Sequence, residues 1–386
     1  MRTLSAVTCA AAIVASGCNG PTGSNRNGVE DRWFQAQAGY GQARPAVLEE
    51  LVFFATGAGD VVARDRGSGS VKWNARVANS QVMGYNFAVT EGVVAVAVAY
   101  ETVGLDGRTG AILWRYQAPL DSLGPQPPAP GYVRGARIAA ASGVVFVPAW
   151  GASVAALDAR TGATRWTWRS PSGQFRTGAV GVRISEDTAF VGGWDFLDTN
   201  GSRSVPWLMA LEASSGRLLW RTLLVDYPSG GVSMNGAPAL TSRHVIATAL
   251  GGDTWGLERS SGRIAWYRPP QSKLATVAQA EAWGEVAYID GGDEFLHALN
   301  GSDGQELWRS PFQGGSVVDL LVTERNAYVA NGPTLTVFRR QSGQQVAQAD
   351  APSRSSVIET FGSAPTADRG QVFVTVSGGA WSFDEP

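Results

Sequence analysis

The sequence predicts an all-β fold: an eight-bladed β-propeller with four antiparallel strands per blade, the ring closed by an N-terminal strand. Three observations predict it. A hairpin pattern, small-x-Asp-x-x-Thr-Gly-x-x-x-Trp, recurs six times at spacings of 41 to 54 residues. Short apolar runs stand at a fixed distance ahead of these hairpins, and there are eight of them. The last unit stops before its own Trp strand, while a spare Trp segment stands near the start of the chain. Repeats of about 40–50 residues holding four short strands are the propeller pattern.

The hairpin is clearest in "ALDARTGATRW", residues 156–166. Its six copies end at Trp73, Trp114, Trp166, Trp220, Trp266 and Trp308, with turn glycines Gly69, Gly110, Gly162, Gly216, Gly262 and Gly304. A seventh copy, "VFRRQSGQQVA", keeps Ser342-Gly343 but carries Ala347 in place of Trp. The apolar runs begin at 51, 93, 144, 188, 244, 286, 326 and 371. Each follows a strand-like segment and a polar turn, as in "ARPAVLEE" and "ARIAAASG". The eighth unit ends at "AWSFDEP". Its missing strand is expected near residues 31–37, in "NGVEDRWFQAQ", because Trp33 lies 40 residues before Trp73. Donating that strand to the last sheet hides an open edge. Asn27-Gly28 lies one residue further from Trp33 than Thr-Gly lies from Trp elsewhere.

Composition agrees. Gly accounts for 48 of 386 residues and Trp for 14, as expected of many strands joined by tight turns. Charged residues are 17% and the formal net charge is −2, so no basic field points to nucleic acid. Residues 138–157 carry no charge over 20 positions, but they include Ser-Gly, Pro and Trp-Gly and read as strands in register, not a membrane helix.

The chain opens with one charge, Arg2, and an uncharged Ala/Val-rich run ending in Ala15-Ser16-Gly17-Cys18. This is a secretory signal pattern, and it resembles the lipobox of bacterial lipoproteins. The organisation expected is therefore a signal peptide at 1–17, an acylated Cys18 with a flexible tether at 18–31, and a propeller at 32–386. The cysteines are Cys9 and Cys18, so cleavage before Cys18 leaves no disulfide pair.

In the hairpin, Asp158 can accept backbone N–H groups just ahead of it, and Gly162 suits a positive φ. Trp166 then buries a large ring whose indole N–H needs a partner. These repeats resemble the PQQ-like, or quinoprotein-type, propeller family with its tryptophan docking motif. The resemblance covers nearly all of residues 32–386 and implies that Trp33 and the six repeat tryptophans each stack on the glycine turn of the neighbouring blade. Glu212, Glu258 and Asn300 depart from it at the Asp position, and Ala347 departs at the Trp position. That makes the seventh seam the expected weak one.

Some members of that family are dehydrogenases using pyrroloquinoline quinone and Ca²⁺. They are longer, and many place adjacent cysteines against the cofactor. No such pair, and no matching cluster of Glu, Asn and Asp, exists here, so no cofactor, no metal and no enzyme are expected. His244 and His297 fall inside predicted strands and read as packed residues. "DFLDTNGS" (195–202) lacks the alternation of a Ca²⁺ loop, and the two "GGD" motifs at 251 and 291 read as turns.

Long connections are expected on the face opposite the Thr-Gly turns: residues 115–135, 221–236, and an insertion at 194–207 inside the fourth blade. They place Tyr132, Trp194, Phe196, Trp207, Phe175 and Tyr227 as aromatic anchors, with Arg134 and Arg176 as polar partners. Lipobox, tether and propeller resemble the propeller lipoprotein of outer-membrane β-barrel assembly. That resemblance implies a non-catalytic interaction scaffold: a monomeric propeller held at the outer membrane by its lipid alone, facing the periplasm, with a barrel-assembly subunit as partner. The alternative is a carbohydrate-binding or enzymatic propeller using the same aromatic face.

Overall fold

The computed structural model describes residues 25–26, 28–36, 39, 43–78, 87–98, 101–117, 137–149, 153–169, 177–196, 204–224, 234, 236–249, 251–270, 280–313, 319–352 and 360–386. Their strands form eight antiparallel sheets arranged as the blades of a propeller. Blades 1 to 7 occupy residues 46–76, 87–117, 139–169, 177–223, 239–268, 281–311 and 319–350. Blade 8 joins residues 366–384 to the strand Val29–Ala36. The second strand of every blade begins where its apolar run does, from Leu51 to Gln371.

Second and third strands are mostly buried because each lies between two neighbouring sheets. Ser153–Asp158 is buried at its first five positions, whereas the outer strand Thr164–Arg169 has no buried residue. The charge-free stretch at 138–157 is three strands, Ala139–Ala141, Val144–Ala149 and Ser153–Asp158. Among the described residues, no helix is long and apolar enough to cross a membrane.

The donated strand closes the ring. Val29–Ala36 pairs antiparallel with Gly379–Asp384, Trp33 opposite Ser382, and a two-residue strand, Asn25–Arg26, adds outside it. The strand starts three residues earlier than the expected propeller boundary at 32, because Val29 is wholly buried against the last two blades.

The docking turns repeat one geometry. Asp158 Oδ1 accepts the N–H groups of Arg160 and Thr161 and the Thr161 hydroxyl. Hydrogen bonds from Arg165 and Thr161 hold its carboxyl down at about 2. Asp65 and Asp106 bind their turns in the same way. Glu212 and Glu258, one methylene longer, reach past the backbone to a serine hydroxyl and an arginine. Each turn glycine has a positive φ and lies under the indole of the preceding blade, Gly69 under Trp33 through Gly343 under Trp308. Six indoles, those of Trp33, Trp73, Trp114, Trp166, Trp220 and Trp266, donate to a carbonyl of the next blade's turn at 2.7–3.1 Å.

Two further regularities explain why the motif works. The ladder between third and outer strand slips by one residue just before the Trp position in every blade, for example between Ile112 and Trp114, and before Ala347 in blade 7. Such a bulge re-aims the side chain and sharpens the twist, turning the ring toward the next blade. The residue paired with each Trp is also small: Ala63, Gly104, Ala156, Ala210, Gly256, Ala298 and Ser382. Blade 7 reverses the volumes, with Val337 opposite Ala347. Its seam is filled instead by Val29, Val337, Ala349, Trp381 and Phe383 in one cluster, with Gly28 at φ +95° beside Ala347. This seam therefore lacks the docking indole of the others, and Trp381 of blade 8 supplies the buried ring instead.

Gly162→Ala tests the turn. A Cβ there would lie 2.6 Å from Trp114 Cγ at φ +71°. Backbone strain of about 1 kcal/mol and overpacking of about 1–3 kcal/mol are expected to sum to a loss of about 2–4 kcal/mol in denaturant unfolding. A loss of no more than about 0.5 kcal/mol, the range of neutral surface changes, would contradict it.

Candidate functional site

Blade 4 differs from its neighbours at the end away from the docking turns. Its second and third strands, Thr188–Phe196 and Ser204–Glu212, are nine residues each, against five or six in the other blades. Three extra residues extend this hairpin by roughly 10 Å at about 3.3 Å per residue. At its two ends, residues 194–196 and 204–207, the insertion anticipated at 194–207 is a strand extension, paired from Trp194–Pro206 to Phe196–Ser204.

The extension stands on a buried polar brace. Asp195 accepts the Trp207 indole N–H at 2.8 Å and pairs with Arg221 on the outer strand. The Arg221 guanidinium lies 5.0 Å from the Trp207 ring centre. Trp207 is wholly buried, which corrects its assignment as a surface anchor: it supports the hairpin from inside. Trp194 is half-buried on the same hairpin, and Phe196 occupies its last paired strand position. Tyr132, Arg134, Phe175, Arg176, Tyr227 and Cys18 lie outside the described residues.

On the same face, blade 6 carries a cluster around His297, which is 0% exposed. Its ring nitrogens face Asp293 at 2.9 Å and Glu306 at 2.6 Å, and Arg268 also pairs with Glu306. His244 is likewise a buried strand residue, and both "GGD" motifs are turns between strands. Among the described residues, no group of three or more His, Cys, Asp or Glu is placed to hold a metal ion.

Asp290, at the base of this cluster, is pushed up to about 6, chiefly by burial and also by Asp293, against the Gly292 N–H and His297. The fold therefore favours its neutral form. Between about pH 4 and 6 the native state holds the proton more tightly than the unfolded chain, so stability falls as pH rises through that window. Asp290→Asn retains an acceptor for the Gly292 N–H. It is expected to stabilise the protein by on the order of 1–3 kcal/mol above pH 6 and to have no effect below pH 4. Unfolding midpoints at pH 4 and 7.5 check this; equal shifts at both would refute it.

At the ring axis are the first strands of the blades, and the residue five positions ahead of each second strand lies on one of them. Ala46, Ala88, Ala139, Leu321 and Thr366 hold that position and line a cavity of about 380 Å³. In blades 4 and 6 the position is charged: Arg183 and Glu281. Glu281 accepts from Arg183 at 3.2 Å and from Arg44 of blade 1 at 3.1 Å, and Arg137 of blade 3 also lines the cavity. None of these four residues stood out in the sequence, since they come from four blades and form no local motif.

Ring closure, repeated indole-on-glycine seams and a single lengthened hairpin define a tryptophan-docked, PQQ-like β-propeller. More narrowly, the chain belongs to the family described as outer membrane protein assembly factor BamB, which matches it over residues 22–203 and 151–385. It is 25% identical over 275 residues to the BamB of Burkholderia pseudomallei and 28% identical over 276 residues to that of Xanthomonas campestris. These matches take in 69% and 71% of this chain and 64% and 62% of those proteins, so under two thirds of each relative is spanned. The crystal structure of BamB from Moraxella catarrhalis superposes with a TM-score of 0.64 at 16% identity, over 91% of this chain and 99% of that one. The quinohemoprotein alcohol dehydrogenase of Comamonas testosteroni superposes with a TM-score of 0.69 at 12% identity, over 93% of this chain and 77% of that one. At such identities these two likenesses speak to the fold alone.

Proposed function

We propose that the protein is a non-catalytic, lipid-anchored interaction scaffold that assists assembly of outer-membrane β-barrel proteins. Membership of the BamB family across residues 22–385 carries the reading. In it, Cys18 is acylated, the chain from Cys18 to the first strand is the tether, and the propeller faces the periplasm. The partner is a barrel-assembly subunit. The lengthened hairpin of blade 4 meets it, because a rigid, braced projection presents side chains at little entropic cost on binding.

The test is in-cell photo-crosslinking from Phe196 and Ser204, the last strand pair of that hairpin, with Lys72 beside the docking turn of blade 1 as control. Capture of a barrel-assembly subunit from that strand pair and not from Lys72 is expected. Capture of polysaccharide alone, or equal capture from both sites, would overturn the assignment. Cys18→Ala is expected to move the protein from the membrane to the soluble fraction.

A further inference from the structure

Blade 8 differs from the other blades at its outer edge. Among the described residues it alone carries a fifth strand, Asn25–Arg26, paired outside the closing strand with Asn25 opposite Glu30 and Arg26 opposite Val29. Gly28, in the link between the two, lies against blade 7, where a Cβ would meet that of Ala347 at 3.2 Å. The closing strand begins on the docking-turn side, since Asp31 pairs with Phe383 and Ala36 with Gly379 at the far end. The chain therefore joins the propeller between the outer edges of blades 7 and 8, near the docking turns. Asn25 stands only seven positions after Cys18. Seven residues span no more than about 25 Å when fully extended. The propeller is on the order of 50 Å across, and blade 4 lies four blades from blade 8 either way round the ring.

We propose that the outer edges of blades 7 and 8 form a membrane-facing surface that rests on phospholipid head groups, with blade 4 turned away from the bilayer. The inference rests on the acylation of Cys18 proposed above. With Cys18 held in the head-group layer, Asn25 stays within about 25 Å of it. Blade 4 against the membrane would need a connection of about 50 Å, twice that reach. The side chains agree. The outer strands of blades 1, 2, 4 and 6 expose Val71, Leu113, Leu219 and Leu307. Among the described residues, those of blades 7 and 8 expose Gln345, Asp350, Glu30 and Arg32 instead. Such an edge hydrogen-bonds with phosphate and amine groups but has no large apolar side chain to sink into hydrocarbon. Because the fifth strand is laddered to the strand that closes the ring, the anchor pulls on a sheet and not on a loose end.

The test uses the full-length protein purified from membranes and returned to vesicles of phosphatidylethanolamine and phosphatidylglycerol that carry a contact-range quencher on their head groups. Cleavage before Cys18 and acylation of its thiol leave no other cysteine, so an introduced one takes the fluorophore alone. The label is placed on Gln345→Cys in blade 7 or on Leu219→Cys in blade 4, both exposed positions of outer strands. The label at 345 is expected to lose most of its fluorescence and the label at 219 little. Gln344→Cys and Thr164→Cys replace them should either fold poorly. Inserting about twelve Gly and Ser residues between Gly20 and Pro21 adds up to about 40 Å of reach. It is expected to shrink the difference between the two labels, which a difference intrinsic to the sites would not do. Flotation with the vesicles reads the anchor separately. A protein that does not float lacks the anchor, and the orientation falls with it. A protein that floats with both labels quenched alike, or with 219 quenched more, overturns the orientation alone.

Discussion

Replacing Trp114 with alanine is expected to lower the unfolding free energy by about 3–5 kcal/mol, the cost of deleting a large buried aromatic. Trp114 is 7% exposed and is held on two sides: over Gly104 of its own blade and against Gly162 of the next. Its N–H also loses the Ala159 carbonyl at 2.7 Å, leaving that acceptor in the seam. The neighbours cannot close the gap, because both glycines are fixed by ladders and turns and carry no side chain to swing in. Gly104 is especially exacting, since a Cβ there would stand 2.1 Å from the Trp114 ring. Denaturant unfolding reads the effect as a fall in midpoint. An unchanged midpoint would show that the blades adhere without their indoles. Blade 7 supplies the converse case: with Val337 opposite Ala347, introducing Trp at 347 alone is expected to destabilise through overpacking, by about 1–3 kcal/mol.

That seam logic was legible in the sequence because it depends on local spacing. The eight apolar runs mark the starts of all eight second strands, and the Asp-x-x-Thr-Gly-x-x-x-Trp interval sets turn, glycine and indole together. The bulge was not legible. It is a register slip, visible only once the partner strand is known, and the three residues between Gly and Trp give no sign of it. The small residues opposite each Trp could have been found, since Ala156 and Gly256 stand ten residues before Trp166 and Trp266. The functional face was read unevenly for a physical reason. Aromatic residues next to a loop serve either as anchors or as braces, and Trp207 became a brace because Asp195 and Arg221 come from adjacent strands to hold it. The axial charges escaped notice because each is a lone charge in a different blade. Stacking the eight first strands on their second-strand starts would have shown them, as Arg183 and Glu281 occupy a position filled elsewhere by Ala, Leu or Thr.

Glu281→Ala is expected to lower the unfolding free energy by about 2–4 kcal/mol at pH 7. Removing one partner of a buried ion pair strands the other charge at a cost of ~3–5 kcal/mol. The lower figure applies here because the Arg183 side chain is 36% exposed and keeps some water. Burial pushes the Glu281 carboxyl up, but Arg183, then Arg44 and Arg137, outweigh it and hold the group below the usual glutamate range. A depressed native pKa means that the contribution is fully present above pH 4.5 and is lost as pH falls through the native value. The difference between wild type and Glu281→Ala should therefore be largest near neutral pH and shrink steadily on acidification. Glu281→Gln keeps the side-chain shape and one acceptor oxygen without the charge, so it should lose less than the alanine variant and show none of the wild-type acid dependence at this site. Added formate or acetate should restore part of the alanine variant's midpoint saturably, by supplying the missing carboxylate to Arg44 and Arg183. A Glu281→Ala protein that unfolds with wild-type midpoint at pH 7 would mean that water already satisfies these arginines, and that the axis is held by its apolar wall alone.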